Sequence, residues 1–189
     1  MNKKRALPTP RSEGMANVLE ATIRLLKSRH PGEITLRDIS LESGHGPRLM
    51  IEWFGGKGGL LAAATTKMFA DLANSGDLYV ADVAVHPDVT NLFRIFNHML
   101  VNHPDELTAM RPRTVSGLVE ARLIENLGKS PEEAAYIARR LAVLILGLAS
   151  FREFFEVSDD EAVRMFQDEF RATTGVLLPD TRSTGPVAP

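Results

Sequence analysis

The sequence predicts an all-α chain in two parts, a head of three short helices and a longer helical-bundle body. Three observations lead there. Aliphatic residues are spread through nearly every segment without the strict alternation of half-buried strands. Two short apolar segments, 35–43 and 47–54, are separated by little more than Gly44, a spacing that suits two helices crossing at a tight turn. Two Ser-x-x-Glu boxes, at Ser130 and Ser158, open long apolar-periodic segments as helix N-caps do.

Taken in order, a first helix is expected over 12–29, with Met15, Val18, Leu19, Thr22, Leu25 and Leu26 on one face and Pro31-Gly32 ending it. Thr35 caps a second, with Asp38 three residues on as its reciprocal partner. Gly44 supplies the left-handed position after that helix. Gly46-Pro47 opens a third, with proline where a missing N–H costs nothing. After the break at Gly55-Gly56, a helix is expected over 57–74, a loop over 75–87 and a helix over 88–102. On that last helix Val89, Leu92, Phe93, Phe96 and Leu100 share a face. A turn at 104–110 leads to helices near 112–127, 131–155 and 159–174. The resulting division is a basic flexible tail at 1–11, the head at 12–62, the body at 63–175 and a disordered Pro/Thr/Gly-rich tail at 176–189.

The totals limit the chemistry. The chain has 189 residues, is 44% hydrophobic and 24% charged, and contains no cysteine, which excludes disulfides, thiol nucleophiles and Cys-ligated zinc. No apolar run reaches the roughly 20 residues of a bilayer span, and the basic start lacks the apolar stretch of a secretory signal. A cytoplasmic protein with no membrane partner is expected. Its net charge of −2 hides an asymmetry. Residues 1–57 hold ten Lys/Arg against six Asp/Glu, a balance of +4, and the rest hold twelve against eighteen, a balance of −6. A basic head on an acidic body suits a polyanion touched by one end only.

The segment from Ile34 to Phe54 carries the chemistry. Leu36 and Ile39 are expected to face inward from the first of its helices, and Met50 and Phe54 from the second, against Leu25 and Leu26. That arrangement is a helix-turn-helix, and it leaves the N-terminal end of the second helix exposed to enter a major groove. The pattern Thr35-Leu-Arg-Asp-Ile-Ser, then Gly44, then Trp53-Phe54-x-x-Lys57-x-x-Leu60-Leu61 resembles the N-terminal signature of TetR-family regulators. The resemblance implies a helix-turn-helix head on a helical body for ligand binding and dimerisation. It implies a homodimer on double-stranded DNA, released by a small-molecule effector.

Carried over by position, Thr35 and Lys57 look like phosphate contacts, each at a helix N-terminus. Gly46, Pro47 and Arg48 lead the reading helix, and the Arg48 fork suits guanine O6 and N7. Trp53 stands where the family usually has Tyr or His; its indole N–H can donate to phosphate, or its ring can simply pack. The chain departs from the family in having Gly46-Pro47-Arg48-Leu49 in place of Ser-Lys-Gly-Thr, and Ile51 in place of Tyr. Glu52 would repel phosphate unless it accepts from cytosine N4. An alternative is therefore a helical interaction protein of the same fold that has lost specific DNA binding.

For the body, an effector pocket is expected among Phe93, Phe96, Leu100, Met110, Leu118, Arg122, Tyr136 and Arg139. The two arginines are the candidates for holding a polar or anionic group. A twofold four-helix interface is expected from Leu141, Leu144, Ile145, Leu148 and Phe151 with Val163, Phe166 and Phe170. Gly147 would allow close backbone approach. Gly55-Gly56-Lys57-Gly58-Gly59 is not a phosphate loop, because Ile51 replaces its first glycine and Gly58 follows the lysine. The five histidines lack metal-ligand spacing. No nucleophile-base pair stands out. Neither enzyme activity, a metal nor a cofactor is expected.

Overall fold

The computed structural model describes residues 10–75, 81–110 and 115–178, leaving aside the side chains of Ala81, Val115 and Leu118. The tails expected at 1–11 and 176–189 fall almost wholly outside the described residues, as does the start of the helix expected near 112–127. Among the described residues the fold is all-α, without strands. The chain divides into two compact units, Met1–Ala64 and Thr65–Pro189.

In the first unit, α1 (Arg11–Ser28) buries Val18, Ala21, Thr22, Ile23 and Leu26. The buried stripe has helical spacing, and Thr22 satisfies its hydroxyl by donating to the Val18 carbonyl at 2.8 Å. Met15, Leu19 and Leu25 are half-buried at its margin. A single 3-10 turn at Pro31–Glu33, which the sequence does not announce, follows. Helix α2 (Leu36–Ser43) starts at the Thr35 capping box. It ends on Gly44 at φ 74°, left-handed backbone that a β-carbon would strain. Helix α3 (Pro47–Phe54) begins on Gly46-Pro47 and buries Met50 completely. Contacts link α1, α2 and α3 to one another.

Helix α4 (Lys57–Ser75) contains the boundary between the units at Ala64. Its first turn packs close to the preceding helix. A Cβ at Gly59 would overlap the Phe54 carbonyl oxygen, so only glycine fits.

The second unit holds α5 (Pro87–Asn102), α6 (Pro104–Ala109), α7 (Val115–Leu127), α8 (Pro131–Phe151) and α9 (Asp159–Thr174). The expected loop before α5 contains a 3-10 turn at Ala81–Val85. That turn packs on α5, α8 and α9 and buries Val83 and Ala84, so it belongs to the core. The expected turn at 104–110 is largely helix α6. Pro104 at its first position and Asp105 and Glu106 in its first turn favour that start.

On α5 the buried stripe is Val89, Leu92, Ile95 and Met99. It shares Val89 and Leu92 with the expected face but is turned from it by roughly 60°. Leu100 is 64% exposed in consequence. Helix α8 stops four residues short of the expected end, and Glu156 beyond it has φ 56°. By length and composition α8 could cross a bilayer, contrary to the sequence expectation that no segment reaches that size. However, Arg139 and Arg140 sit midway along it, and Ala134, Ile137, Ala138, Leu141, Ile145 and Leu148 form one buried stripe. That stripe is the face packed on the core of the unit. Both boxes are closed as expected, Ser130 accepting from the Glu133 N–H and Ser158 from the Glu161 N–H.

Candidate nucleic-acid interface and body cavity

Helix α3 has two unlike faces. Met50 is fully buried, while Gly46, Pro47, Arg48 and Glu52 are exposed and Ile51 is 56% exposed. One turn of the helix is anchored, and the opposite side is free along its length. The open face offers one guanidinium, one carboxylate and aliphatic surface, with no hydroxyl.

Trp53 is held as a packing group. Its ring lies over the α1 backbone, where a Cβ on Gly14 would come 2.8 Å from Cη2 and 3.2 Å from Cζ3. His45 meets the same ring edge-on with centroids 5.9 Å apart. Glycine at position 14 thus makes room for the indole, and the indole sets how α3 lies on α1. The sequence left packing and phosphate contact open for this residue. The packing is what the structure displays.

Thr35 is already committed. Its hydroxyl donates to Asp38 Oδ2 at 2.6 Å and accepts from the Asp38 N–H at 3.2 Å, while its own N–H donates to Asp38 Oδ2 at 2.8 Å. These bonds from Thr35 hold the Asp38 carboxyl below its ordinary pKa, helped by Arg29, whose guanidinium lies 3.5 Å away. A phosphate arriving at this helix end would meet the free N–H groups of the first turn and exposed Arg37 more readily than the Thr35 hydroxyl. Arg37 was overlooked in the sequence reading. Its position in the first turn of a capped helix was the available signal.

Lys57 stands at the first position of α4 and is half-buried. Burial lowers its pKa, and the field of Asp38 acts in the opposite direction. A cation at a helix N-terminus opposes the helix dipole. The pairing becomes favourable when an anion shares the site, because the N–H groups and the ammonium then act on it together.

The second unit contains a cavity of about 290 Å³. Phe69 of α4 and Phe93, Phe96 and Leu100 of α5 form one wall, and Ala142, Val143 and Leu146 of α8 another. Leu107 completes the apolar lining, and Asn97 and Ser116 supply the polar atoms. Asn97 Nδ2 donates to Ser150 Oγ at 3.0 Å. Of the expected pocket residues, Phe93, Phe96 and Leu100 come together here. Met110 is buried but does not line the cavity. Arg122 borders a separate cavity of about 200 Å³ beside Phe170. Tyr136 and Arg139 lie on an open groove with Arg140, which pairs with Glu169 at 2.8 Å and stacks over the Tyr136 ring. The Leu118 side chain lies outside the described residues. Helical spacing alone cannot separate these walls, because residues sharing one helix face diverge once several helices surround a space.

The expected dimer residues divide in the same way. Leu141, Ile145, Leu148, Val163 and Phe166 are buried inside the unit and pack its own core. Leu144 and Phe170 are half-buried, and Phe151 is 56% exposed. The exposed apolar side chains of this region include Val143, Leu146 and Phe151 of α8, Phe154 and Phe155 after it, and Met165 of α9. Among the described residues no three His, Asp or Glu side chains converge as a metal site.

The fold matches the crystal structure of the TetR family repressor AlkX from Dietzia sp. strain DQ12-45-1b, implicated in biodegradation of n-alkanes. The TM-score is 0.52 at 17% sequence identity, over 85% of this chain and 98% of that one. No protein-family model matches the sequence. No curated protein matches it either. At that identity the likeness establishes the fold alone, the all-α fold seen in that structure.

Proposed function

We propose that the chain is a DNA-binding transcription regulator, acting as a homodimeric repressor that a small-molecule effector releases from a palindromic operator. The observation that carries this reading is helix α3, anchored through Met50 with Pro47, Arg48, Ile51 and Glu52 exposed. The basic balance of residues 1–57 and the fold shared with the TetR family repressor AlkX support it. In the proposed complex Arg48 reads a base, and Lys57 and the first turn of α2 hold phosphates. A twofold dimer sets two such helices about 34–36 Å apart, one turn of DNA. The body cavity binds the effector, which acts through its different affinity for the two states. A cytoplasmic location accompanies this role, and no cofactor takes part.

Exposed Glu52 and Ile51 favour a second reading, a helical interaction protein of this fold that no longer binds specific DNA. Titrating salt in a binding assay with genomic fragments separates the two. A regulator shows sequence-dependent affinity that falls with salt. Binding that ignores sequence, or is absent at low salt, overturns the regulator reading.

A further inference from the structure

We infer that the cavity in the second unit takes an uncharged, mainly apolar and ring-bearing molecule with a single hydrogen-bonding group. This inference rests on the regulator reading for its biological role but not for the binding itself. The volume of about 290 Å³ holds on the order of ten groups the size of a water molecule, so the ligand is small. None of the described lining residues carries a charge. Arg122 and Arg139, the side chains expected to hold an anion, face other spaces. A carboxylate or ammonium entering here would lose hydration and meet no counter-charge among the described lining residues.

The aromatic wall sets the shape. Phe69 and Phe96 lie 5.3 Å apart and Phe93 and Phe96 6.1 Å apart, all tilted, an array that offers edges and faces to another ring. Asn97 and Ser116 supply the polar contact. Ser150 already anchors the Asn97 amide through Nδ2, leaving its carbonyl oxygen to accept from a ligand hydroxyl. Leu100 and Val143 are largely exposed and form the mouth.

Calorimetric titration of the full chain with 1-naphthol and 1-naphthoate at neutral pH tests this, since the two share a ring system and differ in charge. The naphthol is expected to bind at least about tenfold more tightly, a gap of roughly 1.4 kcal/mol. Ala142→Phe fills the cavity and Leu100→Trp blocks its mouth. Each is expected to abolish naphthol binding while circular dichroism and melting show a folded chain. Asn97→Arg is expected to bring naphthoate binding up to that of naphthol. Equal binding of both compounds by the unaltered protein, no binding of naphthol, or binding indifferent to both blocking variants overturns the inference. A discriminating cavity whose occupation leaves DNA affinity unchanged upholds the ligand class and instead counts against the regulator reading.

Discussion

Gly14 and Trp53 fit each other as space and filler: a Cβ on the glycine would come 2.8 Å from the far edge of the indole. Alanine at position 14 has two opposed effects. It favours helix by up to about 1 kcal/mol over glycine, and it crowds a rigid ring at a typical cost of about 1–3 kcal/mol. The clash wins. Gly14→Ala is expected to destabilise the first unit, and Gly14→Ala with Trp53→Leu to recover most of the loss. Because the chain has one tryptophan, urea unfolding followed by its fluorescence reads the single variant directly. A stabilised Gly14→Ala protein would show that the ring moves aside freely.

Gly59 is a harsher case, since the atom in its way is the backbone oxygen of Phe54 and not a side chain. Gly59→Ala should cost about 3 kcal/mol or more, at or beyond the upper end for overpacking. A melting temperature within a degree or two of the parent would contradict this placement of α4.

Gly147 makes the opposite prediction. A Cβ there meets nothing within 4 Å in the single chain, so Gly147→Ala should stabilise α8 by about 0.5–1 kcal/mol. In the proposed homodimer the same methyl group lies between facing backbones, and the variant should weaken association. Sedimentation across a concentration series, beside thermal melts, reads the two effects separately. An unchanged dimer would place the twofold contact away from Gly147.

The helix starts titrate. Backbone and hydroxyl bonds from Ser130 and Ser158 hold the Glu133 and Glu161 carboxyls below their ordinary value of 4.5. A folded-state pKa lowered in this way gives stability that is complete above the unfolded value and lost as pH falls through the folded one. Urea midpoints should therefore fall from just under pH 4.5 downward. With Glu133→Gln and Glu161→Gln together, the neutral-pH midpoint should drop toward the parent's acid value, and the fall with pH should shrink. An identical acid limb in parent and double variant would mean other carboxylates govern it.

These helix starts were legible in the sequence because a capping box is local, four residues long, and needs no tertiary partner. Gly44 was legible for the same reason. Residues whose role depends on distant neighbours were not. Nothing beside Gly14 announces the indole, 39 positions away in sequence. The face of α5 was misread in part, because Phe93, Phe96 and Leu100 are as apolar as the Ile95 and Met99 that the core takes. The five residues expected at a dimer surface are buried within the single chain, and the same ground applies: periodicity marks an apolar face without saying what covers it. The 3-10 turn at Ala81–Val85 was hidden by its brevity.

In the proposed complex, Arg48 on the open face of α3 reads a base while Lys57 of α4 holds a phosphate. Arg48→Ala should cost about 1–3 kcal/mol of DNA affinity and relax the preference at one base pair. Lys57→Ala should weaken all sequences alike and reduce the slope of log affinity against log salt by about 1. Glu52→Gln removes a carboxylate from the same exposed face, so it should raise affinity for every sequence if Glu52 merely repels phosphate. It should do so at the expense of discrimination if Glu52 accepts from cytosine N4. Competition binding with a randomised operator library measures all three together. A uniform loss for Arg48→Ala would move that guanidinium from the bases to the backbone and leave Glu52 as the side chain able to read sequence on this face.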